Sequence, residues 1–405
     1  MLSKKKYKTE FKRNFLIPVR DGVELAADLY LPVTTEKVPT IIMYYPYRKD
    51  DSLSPDVGAR LRYFGERGYA GVLLDARGTG SSGGSTYFMN SAQEQQDGYD
   101  AIEYIADQNW CDGNIGITGV SYGGMTSLTV STHAPPHLKA SIPIFSAYDR
   151  YLSSSYPGGN MRVIMTGLYG SMMLASNSAP PYPDEKGRWL EVWNQHLKEN
   201  EPWFFMYLQN QVQTGPWTEN TLLNRIDKIN ASTFIFGGWH DVYPSTPFKI
   251  FDQIKSPKKM LIGPWTHGTP DIAMPGPRID WMHESLRWFD YWLKDIDTGI
   301  MNDPPITIYT QTYDKPDPNR NNTSGEWGNE AEWPLKRAEK TNYYLHPKGK
   351  LSQKTPVSNE ADYDFFEYTP NVGTMSLFVK AGSAMSIPMD QRLDEALSLN
   401  YTTET

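Results

Sequence analysis

The sequence predicts an α/β protein: a mostly parallel, doubly wound sheet, broken by a helical insertion and followed by a β-rich segment. Three observations predict it. Short apolar runs bounded by turn residues alternate with helix-patterned stretches through about residue 145. The alternation stops between about residues 146 and 230 and then resumes. Beyond residue 303, Pro- and Asn-rich connections separate short β-patterned pieces with little helix.

Bulk properties set the frame. At 405 residues the chain can form two domains, or one large domain with insertions. Charged residues make up 21% and hydrophobic residues 39%, which describes a folded, soluble protein. The net charge of −8 is spread along the chain, and no basic stripe is available to track phosphates, so nucleic acid is not an expected partner. One cysteine, Cys111, excludes an internal disulfide framework and fits a reducing, cytoplasmic compartment. The lysines at 4, 5, 6 and 8 precede no apolar stretch of the secretory type. Nothing approaches the ~20 apolar residues of a membrane span, so no membrane partner is expected. Homo-oligomerisation is left open.

The elements follow in order. Phe15–Leu31 reads as a hairpin turned at Asp21-Gly22. The runs Thr40–Tyr45, Gly71–Asp75, Ile115–Gly119, Ala140–Phe145, Thr233–Gly237 and Lys259–Gly263 are continuously apolar in several cases, as for central parallel strands. Helical stretches such as Gln96–Ala106, Pro247–Ile254 and Met282–Ile296 lie between or after them. The interruption carries Met161, Met165, Met172, Met173 and Met206 among many aromatics, with helical periods at Arg188–Leu197 and Glu201–Gln209. Any one of these side chains fits ordinary helical core; the whole segment reads as a lid over an apolar pocket. The expected division is residues 1–145 and 231–302 as core, 146–230 as lid and 303–405 as a β-rich domain. That last part includes Ile306–Thr312, Thr341–Leu345 and Met375–Val379.

Gly119-Val120-Ser121-Tyr122-Gly123 fits G-x-S-x-G. It follows the strand-like Ile115–Thr118 and precedes a helix expected over Met125–His133, the strand–turn–helix setting of a nucleophile elbow. The expected core is therefore an α/β-hydrolase core, with Ser121 as nucleophile of an acyl-enzyme reaction and the Tyr122 N–H as an oxyanion donor. Serine needs a base, and the base an orienting acid, in the chain order Ser, Asp or Glu, His. Among seven histidines, His267 lies in a loop just past a core strand, with His283 as the fallback. Asp241 follows the preceding strand; Asp149 and Asp271 are less well placed. His240 is read as structural. In the loop after the first inner strand, Tyr47 fits either a phenolic oxyanion donor or ordinary packing.

These residues together resemble the CocE/NonD hydrolases, the X-Pro dipeptidyl-peptidase-like (S15-type) group of α/β-hydrolases. The markers are Val19-Arg20-Asp21-Gly22-Val23-Glu24-Leu25, Tyr45-Pro46-Tyr47, Asp75-Ala76-Arg77-Gly78-Thr79-Gly80-Ser81-Ser82-Gly83 and Asp97-Gly98-Tyr99-Asp100. Trp110-Cys111-Asp112-Gly113, Gly238-Trp239-His240-Asp241 and Gly263-Pro264-Trp265-Thr266-His267 continue the series. Trp327, Trp333-Pro334 and Tyr343-Tyr344-Leu345 look like the opening of the group's jelly-roll domain. The resemblance implies Ser121, Asp241 and His267 as the triad, and Tyr47 and the Tyr122 amide as oxyanion donors. Tyr243 falls where an esterase of the group has an aromatic acyl-pocket residue.

The implied activity is hydrolysis of a small-molecule ester or amide without a cofactor or metal, foremost as an acyl esterase. The alternatives are an X-prolyl dipeptidyl peptidase, a β-lactam acylase and, from another class, a non-catalytic binding module. Two departures stand out. No carboxylate follows Asp241 in Val242-Tyr243-Pro244-Ser245, which argues against selectivity for α-amino substrates unless a lid acid such as Asp184 substitutes. The chain also stops at Tyr401-Thr402-Thr403-Glu404-Thr405, so the jelly roll is expected to be partial, from a shortened gene or a fragment.

Overall fold

The computed structural model describes residues 2–404 apart from 52–53, 220, 318–319, 358–362, 373–376, 379–386 and 389. Strands β1 (Thr9–Pro18) and β2 (Glu24–Pro32) form the expected antiparallel hairpin, with Ile17 opposite Leu25. Its turn needs Gly22, whose φ of 84° lies in the left-handed region. Then come β3 (Val38–Tyr45), α1 (Ser54–Gly65), β4 (Ala70–Asp75), α2 (Ala92–Ala106), β5 (Cys111–Val120), α3 (Tyr122–Ser131) and β6 (Leu138–Ile144). After the interruption the pattern resumes with β7 (Ser232–Gly238), α8 (Thr246–Gln253), β8 (Lys258–Gly263) and α9 (Trp281–Lys294). The interruption itself holds α4 (Gly170–Ser178), α5 (Arg188–Glu199), α6 (Trp203–Gln209), the single turn α7 (Pro216–Glu219) and two π-helical turns, Arg150–Ser155 and Ile164–Tyr169.

One ten-stranded sheet runs β1-β2-β4-β3-β5-β6-β7-β8 and then continues through β9 (Ile306–Gln311) and β10 (Gly325–Glu330). From β4 to β9 every neighbouring pair is parallel. Every residue of β3, β4 and β7 is buried, because helices cover both faces. The period-2 alternation of the strands sorts them between two cores. Ile42 and Tyr44 face the layer that includes Ile102 and Ile105 of α2 and Phe251 of α8. Ile41, Met43 and Tyr45 face Leu61 and Phe64 of α1 and Trp288 and Phe289 of α9. The chain order reverses at β3, so the carboxyl ends of β3 and β5 flank a crevice, the usual ligand position in an open α/β sheet.

The two strands past residue 303 differ from expectation. Rather than opening a separate β unit, β9 pairs with β8 in the core sheet, and β10 closes the sheet antiparallel to β9. Trp333 likewise packs on Phe248 of the core, ring centroids 4.5 Å apart. Sequence patterning identifies a strand but not its neighbour, which is set by long-range packing. Farther on, the described chain is largely irregular, with two short ladders and one helical turn, Arg392–Glu395: β11 (Tyr344–His346) pairs with β12 (Lys350–Ser352), and β13 (Leu377–Phe378) with β14 (Ile387–Pro388). Met375, Val379 and Thr405 lie outside the described residues. No helix among the described residues is long and apolar enough to cross a membrane. Cys111 is buried, with its Sγ 3.3 Å from Thr40 Oγ1, and burial pushes its thiol pKa up.

Candidate active site

Ser121 sits between the end of β5 and the start of α3 with φ 60° and ψ −113°, a conformation that L-residues avoid. Its N–H donates to Ile144 O and its C=O accepts from Met125 N, both at 2.9 Å, so neighbouring backbone holds the strained residue. The glycines around it are steric requirements. A Cβ on Gly119 would lie 2.6 Å from the Gly123 backbone, and one on Gly124 would lie 2.6 Å from Ile144 O.

Asp241 and His267 come from the loops after β7 and β8, and the backbone splices those loops together. Trp239 N donates to Gly263 O (2.9 Å) and His240 N to Trp265 O (3.1 Å). The result is a hydrogen bond from His267 Nδ1 to Asp241 Oδ1, with both side chains buried. The other carboxylate oxygen accepts from Tyr243 N at 3.2 Å. Phe145 and Tyr243 flank the imidazole with ring centroids at 6.0 and 5.9 Å. With Nδ1 committed to the carboxylate, Nε2 is the ring nitrogen left for the cavity that His267 and Ser121 both line. Among the described residues no hydrogen bond yet joins Ser121 to His267, a contact that commonly tightens only with substrate bound. His240 faces away, to Gln311 Oε1 at 3.0 Å.

Tyr47 and Tyr122 approach the serine from the other side. The Tyr122 N–H belongs to the first turn of α3, where helix geometry provides no intrahelical acceptor. The Tyr122 side chain is buried, stacked on Trp203 of α6 at 6.0 Å and donating to Glu94 Oε2 at 2.7 Å. Glu94 is itself buried, and burial pushes its carboxyl up to about 7, opposed by that phenol hydrogen bond. The Tyr47 phenol lies 3.3 Å from the Tyr169 phenol, and Tyr47 lines the same cavity as Ser121. Burial pushes Tyr47 up to about 12, so it stays protonated and able to donate at neutral pH. The loop bearing Tyr47 is pinned by Asp75, whose two oxygens accept from Lys49 N (2.6 Å) and Ser81 N (2.9 Å). Burial raises Asp75 to about 7, against the attraction of Lys49.

These groups open on a cavity of about 430 Å³. Ile164, Met165, Leu168, Tyr169 and Met172 of the helical insertion line it alongside Met43, Ile144 and Ile272. Tyr243 lines it too, its hydroxyl 3.4 Å from Ser154 Oγ. Asp56 and Arg60 are the oppositely charged pair in the lining, bonded to each other, with Arg60 also lying over the Trp281 ring at 5.0 Å. Asp184 is not among the lining residues: it accepts from the N–H groups of Lys186, Arg188 and Trp189 at the start of α5.

The structure thus brings Ser121, His267, Tyr47, Tyr122 and Tyr243 onto one cavity, with Asp241 behind His267 on its Nδ1. Sequence reasoning missed Tyr169, Glu94 and Trp203. Glu94 carried a signal of another kind, the Ser91-x-x-Glu94 capping pattern. Ser91 does accept from Glu94 N at 3.2 Å, but the carboxylate is spent on Tyr122 and on Asn90 N.

Comparison with known proteins identifies the family and relatives of the same fold. The family model for X-Pro dipeptidyl-peptidase (S15 family) matches residues 21–269. Cocaine esterase from Rhodococcus sp. (strain MB1 Bresler) is 27% identical over 96% of this chain and 74% of its own. A putative Xaa-Pro dipeptidyl-peptidase from Bacillus anthracis is 26% identical over 70% of this chain and 52% of its own. Among solved structures, a CocE/NonD family hydrolase from Staphylococcus aureus superposes with TM-score 0.70 at 21% identity, over 86% of this chain. An α-amino acid ester hydrolase superposes with TM-score 0.63 at 19% identity, over 90% of this chain. These two likenesses concern the fold, and the chain spans 61% and 65% of the two structures' lengths.

Proposed function

The chain belongs to the X-Pro dipeptidyl-peptidase (S15) family and is a serine hydrolase, and from that premise we propose that it cleaves apolar carboxylic esters through an acyl-enzyme on Ser121. The observation that carries the reading is the buried Asp241–His267 pair opening onto an apolar cavity that also holds the strained Ser121. In the proposed cycle, His267 takes the Ser121 proton as the hydroxyl attacks the ester carbonyl. Asp241 holds the ring and stabilises the imidazolium. The Tyr47 phenol and the Tyr122 N–H receive the negative charge that develops on the carbonyl oxygen. The imidazolium then protonates the leaving alcohol, and a water repeats the sequence to release the acid.

The cavity's chemistry supports an ester over a peptide with a free amino terminus. Such a peptide brings an ammonium group into the site, and burying it calls for an unpaired carboxylate. The lining carboxylate besides the proposed cycle's own residues, Asp56, is already paired with Arg60. The second reading, an X-prolyl dipeptidyl peptidase, is favoured by the family model itself and by the Bacillus anthracis relative. Hydrolysis of p-nitrophenyl butyrate against glycyl-prolyl p-nitroanilide separates the two. A β-lactam substrate in the same panel covers the acylase alternative. A Ser121→Ala variant that hydrolyses the ester at the wild-type rate sinks the assignment. Intact, folded wild type that takes no fluorophosphonate label points instead to a non-catalytic binding module.

Three further assignments belong to this proposal. Tyr243 lines the acyl side of the cavity through its edge-on contact with His267. Residues 146–230 act as the lid of the site, and 303–405 as an appended β-rich part that shares the core sheet through β9 and β10. A cytoplasmic location is supported by the single, buried, unpaired Cys111.

A further inference from the structure

The helical insertion grips the loop that carries Tyr47 at two consecutive residues. Arg48, at φ 63°, sends its guanidinium to the carbonyl oxygens of Ser176 (3.1 Å), Ala179 (2.6 Å) and Pro180 (2.6 Å) at the end of α4. One residue earlier, the Tyr47 phenol meets the Tyr169 phenol at 3.3 Å, with the rings edge-on at 89°. Tyr169 ends the π-helical turn Ile164–Tyr169, whose Ile164, Met165 and Leu168 line the roof of the cavity. The far side of the Tyr47 loop is fixed to the core through Lys49 N and Asp75.

A phenol carries one proton and two acceptor lone pairs. If Tyr47 gives its proton to the carbonyl oxygen under attack, its own oxygen can only accept from Tyr169. The hydrogen bonds must then run one way, from the Tyr169 O–H to Tyr47 and from the Tyr47 O–H to the oxyanion. In a buried site each bond polarises the next, so the outer donor strengthens the inner one as charge develops. Burial keeps Tyr169 protonated, holding its phenol pKa well above the ordinary tyrosine value.

We propose that Tyr169 is a positioning residue for the oxyanion hole: it orients the Tyr47 proton and strengthens its donation, so that the hole is complete only when the insertion is seated over Ser121. The proposal rests on the reading of Tyr47 as oxyanion donor. It differs from the simpler view, in which Tyr169 is one more wall of the cavity, in which kinetic constant it moves. A wall residue acts on ground-state binding and hence on KM, whereas a residue acting through Tyr47 is felt in kcat.

The test is a double-mutant cycle on Tyr47→Phe and Tyr169→Phe, with p-nitrophenyl acetate and butyrate as substrates and thermal melting to verify folding. Tyr169→Phe keeps the ring and its edge-on packing. Expected are a kcat lowered about 3- to 10-fold by Y169F, with KM within about 2-fold. Y47F should lower kcat about 10²- to 10³-fold, and the double variant should be no slower than Y47F alone. Fully additive losses, or an effect of Y169F confined to KM, overturn the proposal while leaving Tyr47's role intact. A Y47F variant at the wild-type rate overturns the reading of Tyr47 itself, and this proposal with it.

Discussion

The Asp241 carboxylate accepts a hydrogen bond from His267 Nδ1 in a setting where the two side chains expose 0% and 5% of their surface. Two backbone hydrogen bonds between the loops after β7 and β8 fix that relationship, Trp239 N to Gly263 O and His240 N to Trp265 O. Replacing the carboxylate by an amide keeps the shape but permits the wrong imidazole tautomer. Asp241→Asn is therefore expected to lower kcat about 10⁴-fold on p-nitrophenyl butyrate with a near-normal melting temperature. A loss below about 10-fold would mean that Asp241 does not orient the base.

The glycines of the elbow make a separate prediction about folding. The Cβ of a Gly119→Ala variant would sit 2.6 Å from the Gly123 backbone, which no side-chain rearrangement relieves. Urea denaturation should show a loss of about 1–3 kcal/mol, and fluorophosphonate labelling of Ser121 should fall because the turn must open. Wild-type stability together with wild-type labelling would contradict the steric reading.

Glu94 predicts a pH dependence of stability. Burial raises its carboxyl to about 7 from an ordinary 4.5. Between those values the folded protein holds a proton that the unfolded chain has released. Its contribution is therefore fully present below about pH 4.5 and lost as pH rises through about 7, an effect on the order of 3 kcal/mol. Urea denaturation of wild type and Glu94→Gln at pH 5, 6, 7 and 8 isolates this term, since Asp75, raised over a similar range, is common to both. The stability of wild type relative to the variant should decline with rising pH; a difference that is flat with pH would rule out the shift.

The cavity predicts an acyl-length series. Each added methylene buried against Ile164, Met165 and Leu168 contributes roughly 0.8 kcal/mol, or three- to four-fold in kcat/KM, until the space is full. Met165 is 8% exposed and lines the cavity, so Met165→Trp should shorten the series. Hexanoate hydrolysis is expected to fall at least about 10-fold while acetate stays within about 3-fold. Equal losses on both esters would place the acyl chain elsewhere.

The residues legible in the sequence were those whose surroundings are local. Ser121 announces itself by flanking glycines and a strand-to-helix switch, and Asp241 and His267 by lying just past apolar runs. Tyr169 had no such signal, because the contact that gives it meaning spans 122 positions and depends on how the insertion folds back. Glu94 was masked by a competing local pattern, since a capping box and a buried phenol anchor look alike until the helix is packed. The strands were recognisable throughout, but the pairing of Ile306–Gln311 with Lys258–Gly263 was not, because a β pattern states which residues extend and leaves the partner open.

Cys111 has a practical consequence. The chain's one thiol is 1% exposed, accepts a hydrogen bond from the Thr40 hydroxyl and is less acidic than an ordinary cysteine, so it offers little to alkylating reagents. A thiol introduced as Val163→Cys, 71% exposed at the start of the Ile164–Tyr169 turn and outside the cavity lining, becomes the one reactive handle for a fluorophore or spin label. The seating of the insertion over Ser121 can then be followed spectroscopically during turnover, with no native cysteine to remove first.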